Sequence, residues 1–154
     1  MEHSIAIERV VNIPTNRKRG EHLLVKAVVL SCVDPGFKEP FKALMRHLEF
    51  RSADFDHLGW AGGAKGLVDP GAPLLKQIST LVKLHHVPEV ILMTHSDCGA
   101  YGYPKFPDEN QEHEFYANEL RRAGGELMKF LSEENLAPKV SAYHLDFVGA
   151  VRIF

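Results

Sequence analysis

Thiol is scarce in this chain: 154 residues carry only two cysteines. A framework of several disulfides, the usual staple of small secreted domains, is therefore excluded. Apolar runs are short, and none approaches the roughly 20 residues that a helix needs to span a bilayer. Met1 to Gly20 is polar and charged and offers no apolar stretch of the signal-peptide kind. The expectation is a reducing compartment, the cytoplasm, with both thiols free. Net charge is also small, −2 at pH 7, and gives no electrostatic reason to expect nucleic acid or an anionic membrane as partner. The basic run Arg17-Lys18-Arg19 reads as a solvated loop. Neither GxxxxGK[ST] nor GxGxxG occurs, which argues against a nucleotide cofactor. CxxC is missing as well, and with it the usual redox motif. Repeats and low-complexity segments are absent. What remains is an ordinary globular composition, 45% hydrophobic and 25% charged, at a length that fits one domain.

The two cysteines occupy informative places. Cys32-Val33-Asp34 follows the apolar run over residues 25–31. His95-Ser96-Asp97-Cys98-Gly99 follows the apolar run over residues 89–94. If both runs are parallel neighbouring strands, their carboxyl ends bring two thiols, one imidazole and one carboxylate together. Soft thiolates with imidazole select zinc over magnesium or calcium, and four donors complete a tetrahedron. Two other readings stay open from spacing alone. Each cysteine could be an inert small hydrophobe at a strand end, or the pair could be redox thiols.

Periodicity supports the strand–helix alternation. Residues 25–31 read as a buried strand, continuous and rich in Val and Leu. Asp34-Pro35-Gly36 breaks it as a turn. Phe41, Leu44, Met45 and Leu48 predict an amphipathic helix over residues 40–48. A second strand is expected over 52–58. Gly59 to Gly66 holds four glycines in eight residues, a loop in which backbone takes unusual dihedrals or approaches something closely. The clearest helix is 73–85, with Pro73 in its first turn and His85-His86 closing it. Residues 90–94 form the next strand and 103–111 a polar surface loop. A long helix follows over 112–133, with Phe115, Leu120, Leu127, Phe130 and Leu131 inward. Gly124-Gly125 marks a bend or a close packing. A last strand spans 139–145, a turn 146–149, and Val151 to Phe154 extends another strand or packs against a partner. The expected fold is α/β, a central and mostly parallel sheet flanked by helices. Its carboxyl edge is where sites lie in such sheets. Residues 1–24 are a lead-in, and 25–154 form a single zinc-binding domain.

On these residues the chain resembles the β-class carbonic anhydrases. Cys32-Val33-Asp34, the loop Ala61-Gly62-Gly63, and His95 through Gly99 follow in that family's order, and Tyr143 through Gly149 looks like its last core strand and turn. The resemblance covers roughly residues 25–154. It implies zinc held by Cys32, His95 and Cys98, with water or Asp34 in the fourth position. It implies a homodimer, and the reversible hydration of carbon dioxide, or a related small neutral molecule such as carbonyl sulfide, by zinc-bound hydroxide. Asp34 is then the catalytic residue that orients the nucleophile, or the ligand that blocks it. A non-catalytic protein with a closed Cys2HisAsp zinc site is the alternative.

The departures fall at three places. The family motif is CxDxR, whose arginine pairs with the aspartate, and here that position is Gly36. The Arg-Asn that opens the family's glycine loop is Gly59-Trp60. The helical N-terminal arm of the family is also missing from the sequence. Without the arginine nothing nearby competes with zinc for Asp34, unless Arg46 or Arg51 reaches in from elsewhere. Asp97 reads as a loop residue more than a partner of the ligands. Trp60 fits an apolar pocket or ordinary core equally well. His57, His113 and His144 are candidates for proton transfer with no position assigned by sequence.

Overall fold

The computed structural model describes residues 8–22 and 24–154. Of the lead-in, residues 1–7 and 23 lie outside the described residues. The rest of it carries no helix or strand, and the first regular element begins at Ala27. Five strands form one sheet in the order β2-β1-β3-β4-β5. They are β1 (Ala27–Ser31), β2 (Phe55–Gly59), β3 (Glu89–His95), β4 (Lys139–Leu145) and β5 (Ala150–Arg152). The first four run parallel, and β5 returns antiparallel on β4, pairing Ala150 with Leu145. Helices α1 (Lys38–His47), α2 (Ala72–His85) and α3 (Glu109–Glu133) make the crossovers. The α/β architecture expected from the alternating pattern is the one observed.

Side chains alternate across the sheet and so divide the core in two. Val28, Leu30, Val90, Leu92 and Ala142 face α2 and α3, where they meet Leu74, Ile78, Val82, Leu120, Leu127 and Leu131. Ala27, Val29, Ile91, Met93, Tyr143 and Leu145 face the other way, onto Leu44 and Met45 of α1. Each buried aliphatic side chain contributes roughly 2 kcal/mol through removal from water. The cover is unequal. One face has two long helices, while the other has α1 alone, and beside it Phe147 and Val148 remain 76% and 91% exposed.

Several element boundaries move. Helix α3 starts at Glu109, inside the segment expected as loop, because Asp108 caps it by accepting from Gln111 N at 2.8 Å. Its core face includes Tyr116, fully buried, whereas Phe115 is only half-buried. A Cβ at Gly124 would lie 2.8 Å from the Phe154 ring, so this glycine serves close packing. Residues Ser52–Asp54 are a short 3-10 turn and not the start of β2.

Candidate metal centre

Parallel pairing sets the site. Leu30 of β1 stands opposite Leu92 of β3, so Cys32, just past the end of β1, and His95, the last residue of β3, emerge close together at the carboxyl edge. Cys98 returns to the same place through a tight turn, in which Asp97 adopts φ +54°. Cys32 Sγ and Cys98 Sγ are 3.9 Å apart. The two sulfurs and one ring nitrogen of His95 all lie within 4.8 Å of one another. His95 Nδ1 is 2.7 Å from the Ser96 carbonyl, to which it donates. Its Nε2 is buried and has no hydrogen-bond partner. Phe37 stacks on the ring at 4.3 Å and fixes its plane.

The glycine loop explains itself here. Gly62 has φ +84°, and its N–H donates to Cys32 Sγ at 3.3 Å. Gly63 crosses over both strand ends: a Cβ there would sit 2.3 Å from the Met93 carbonyl oxygen and 3.0 Å from Cys32 N. No side chain fits at that crossing. Trp60 belongs to the same loop but packs away from the site. It lies against Gly66 and the core between the sheet and α2, which settles its role as packing.

Asp34 stands beside the cluster without joining its three atoms. Oδ1 accepts from Gly36 N at 2.7 Å, and Oδ2 is 3.8 Å from His95 Nε2. Among the described residues no arginine pairs with it. Arg51 is engaged with Asp54 at 3.3 Å, at the opposite end of β2, and Arg46 does not pair with Asp34 among the described residues. Gly36 itself is not in the left-handed region, and a Cβ there would meet only Asp34 Oδ1, at 3.1 Å. Asp97 is exposed and has no hydrogen-bond partner among the described residues.

The electrostatics follow from the pairing of thiols. Hydrogen bonding from Cys98 pushes the Cys32 thiol down to about 3, against the upward push of burial and with help from His95 and the Gly62 N–H. The same bond, together with burial, pushes Cys98 up. At His95 burial is the largest influence and acts downward. The nearby Cys32 thiol, the bond to the Ser96 carbonyl and the charges of Cys32 and Asp34 together outweigh it, so the imidazole is raised.

A cavity of about 270 Å³ opens onto Cys32, Asp34 and His95. Val33, Phe37, Phe41, Met93 and Leu145 make its walls apolar, and Ser31, Lys38 and His57 add polar groups. His57 Nε2 is 2.7 Å from Ser31 Oγ, and the ring stacks on Phe41 at 4.4 Å. Burial pulls its pKa below the usual histidine value. Of the three histidines left unplaced by sequence, His57 is the one in this cavity. Its signal was the period of two along β2, which puts it on the face of Phe55 and Gly59. The other two form a polar cluster behind the site. His144 bonds Thr94, Ser96 and Glu112, and His113 pairs with Asp146 at 2.9 Å.

No family model matches the sequence. A protein of Rickettsia bellii, itself described only as uncharacterised, is 27% identical over 106 residues, or 63% of this chain. The chain spans 62% of the length of that curated relative. Among solved structures, β-carbonic anhydrase isoform I of Trichomonas vaginalis superposes over 92% of this chain and 88% of its own, with a TM-score of 0.53 and 12% identity. The fold is β-carbonic anhydrase-like. β-Carbonic anhydrases of Aspergillus fumigatus and Sordaria macrospora align over 84% and 85% of the chain at 12% and 13% identity, each with a TM-score of 0.49. At such identities the likeness is one of fold. The chemistry rests on the residues gathered at the carboxyl edge of the sheet. No described helix is long and apolar enough to cross a membrane.

Proposed function

We propose that this chain is a zinc-binding, carbonic anhydrase-like protein whose ion is held by Cys32, His95 and Cys98 within residues 25–154. One observation carries the reading. His95 Nε2 is buried without a partner, and a nitrogen of the same ring lies within 4.8 Å of two thiol sulfurs. Leaving such a nitrogen unpaired costs about 1–3 kcal/mol, and a soft divalent cation removes that cost. Two sulfurs and one imidazole suit zinc, whereas hard cations take oxygen donors. When bound, zinc would supply Lewis acidity toward water and a small electrophile.

The chain's own residues do the rest. Val33, Phe37, Phe41, Met93 and Leu145 give the cavity apolar walls that suit a small neutral molecule such as carbon dioxide or carbonyl sulfide. Phe37 and the Ser96 carbonyl orient His95. Asp34 has the two roles that resemblance assigns to it: fourth ligand, or acceptor that orients the nucleophile. With no arginine to draw it aside, it acts as ligand at neutral pH, and hydration is weak. A closed, non-catalytic Cys2HisAsp centre is the second reading. It is favoured by the bond from Gly36 N that fixes Asp34 Oδ1 while Oδ2 stands 3.8 Å from His95 Nε2.

Stopped-flow hydration of carbon dioxide tests both. The zinc-loaded protein should be slow at pH 7, and Gly36→Arg should speed it at unchanged zinc content, since an arginine there can pair with Asp34 in bidentate fashion. The backbone at Gly36 accommodates the side chain without left-handed strain. Fast wild-type hydration would discard the ligand role of Asp34. Equal silence in wild type and Gly36→Arg would leave the structural zinc centre. We also propose a cytoplasmic homodimer. Thiolate ligands favour a reducing compartment, and the exposed Phe147 and Val148 beside β5 favour burial against a second copy. A monomer mass by light scattering at micromolar concentration would remove the dimer.

A further inference from the structure

Ser96, the residue after His95, is held from three sides. Its carbonyl accepts from His95 Nδ1 at 2.7 Å. Its hydroxyl donates to Glu112 Oε1, at the start of α3, and lies 3.2 Å from His144 Nε2. His144 Nε2 is in turn 3.3 Å from the same Glu112 oxygen, while Nδ1 is 2.9 Å from Thr94 Oγ1. An ionised carboxylate can only accept. Ser96 O–H and His144 Nε2–H therefore both point into Glu112. That leaves His144 Nδ1 as an acceptor, which the Thr94 hydroxyl fills. Both ring nitrogens of His144 and both hydroxyl protons are used once the carboxylate is in place, so one arrangement is selected. Tyr116 stacks on the far face of His144 at 4.2 Å and closes the cluster.

Thr94 and Ser96 are the two chain neighbours of His95. We propose that Glu112 is a positioning residue for the metal centre: through Ser96 and His144 it fixes the Ser96 carbonyl that takes the His95 Nδ1 proton, and so keeps Nε2 as the free, ligating nitrogen. Outer partners of this kind orient the ligand and set its tautomer. The proposal rests on the zinc reading for its effect on affinity. The effect on the His95 tautomer exists without metal.

Two measurements decide it. Zinc affinity by chelator competition should fall about 10- to 100-fold in Glu112→Ala, the range for loss of an outer-shell partner. Glu112→Gln keeps an oxygen that accepts from both donors and should stay close to wild type. Glu89→Ala is the control, because Glu89 accepts from Ser141 at 2.9 Å at the other end of the same strand pair. A merely structural role predicts the same loss of zinc affinity in both alanine variants. In zinc-free protein at alkaline pH, ¹⁵N NMR should find His95 as the Nδ1–H tautomer in wild type and as a mixture in Glu112→Ala. If Glu112→Ala does not fold, Ser96→Ala reports the same change with smaller amplitude. Unchanged affinity and tautomer in the folded variants, or an equal zinc loss in Glu89→Ala, would overturn the proposal. A wild type that binds no zinc would overturn the zinc reading, and the tautomer result would still decide the role of Glu112.

Discussion

His95 and His144 end on neighbouring strands, 2% and 0% exposed, and differ by one nitrogen. His144 has partners at both ring nitrogens. His95 has a partner at Nδ1 and none at Nε2. The fold therefore has the means to satisfy a buried imidazole completely, and does so one strand away. Where it leaves a nitrogen open, the opening faces two sulfurs. Burial acts in the same direction on both rings. It brings His144 down to about 4, whereas at His95 the hydrogen bonds and neighbouring anionic groups prevail and raise it. An open hydrogen-bond account is not enough by itself, since the buried Tyr116 Oη also has no partner among the described residues. What singles out His95 is that its open nitrogen belongs to a ring set among two thiol sulfurs.

The largest test of this contrast removes a sulfur. Cys98→Ser and Cys32→Ser should each lose most of the roughly one zinc per chain expected from a four-donor site. The same variants should lose most of the stability that zinc adds to wild type, because metal binding is coupled to the folded site. Elemental analysis and thermal unfolding with and without chelator are the measurements. Full zinc retention in both variants would rule out the ligand set and leave His95 Nε2 without an explanation.

The sheet was legible in the sequence because its core strands are continuous apolar runs. Val28 to Leu30 and Val90 to Met93 are buried on both faces, and helices of alternating apolar spacing separate them. The convergence of Cys32, His95 and Cys98 followed from parallel pairing alone. What the sequence hid were partnerships across elements. Glu112 and His144 are 32 residues apart, and nothing in either's local pattern announces the other. The start of α3 was hidden for a different reason: Asp108 caps a turn so polar that it carries no apolar period. The backbone at Gly36 was hidden too: a turn after Asp34 admits left-handed glycine, and Gly36 does not adopt it. Only backbone angles could decide that.

A smaller effect separates the two histidines by acid. His144 has a folded value near 4, below its unfolded value of 6.5. The unfolded chain thus binds the extra proton first. The stability that His144 contributes is complete above pH 6.5 and drains away as pH falls toward 4, by about 3 kcal/mol at the end of that window. His95 has the opposite sign. Its raised value makes a contribution that is whole below the unfolded value and is lost as pH rises through the folded one. Urea unfolding of zinc-free protein between pH 7 and pH 4 should show the first slope, and His144→Phe should reduce it, leaving the part of the same sign that the lowered His57 contributes. An undiminished slope in His144→Phe would mean that burial in the cluster does not hold the His144 imidazole neutral.

The smallest effect is expected at the loop between the two regions. Asp97 sits between His95 and Cys98, and a carboxylate there invites assignment to the metal. Its φ of +54° offers another reason for its presence. Asn and Asp enter the left-handed region more readily than other side chains, because a short polar group can compensate locally. Asp97 is exposed and has no hydrogen-bond partner among the described residues. If shape alone is required, Asp97→Asn should keep zinc affinity, hydration rate and midpoint of unfolding, with a stability change within about 0.5 kcal/mol, as for surface substitutions generally. Asp97→Val should cost more, since a β-branched side chain resists this backbone conformation. A clear fall in zinc affinity in Asp97→Asn, at unchanged stability, would show that the charge matters. It would then extend the metal centre beyond His95 and the two cysteines to a residue that the geometry leaves outside it.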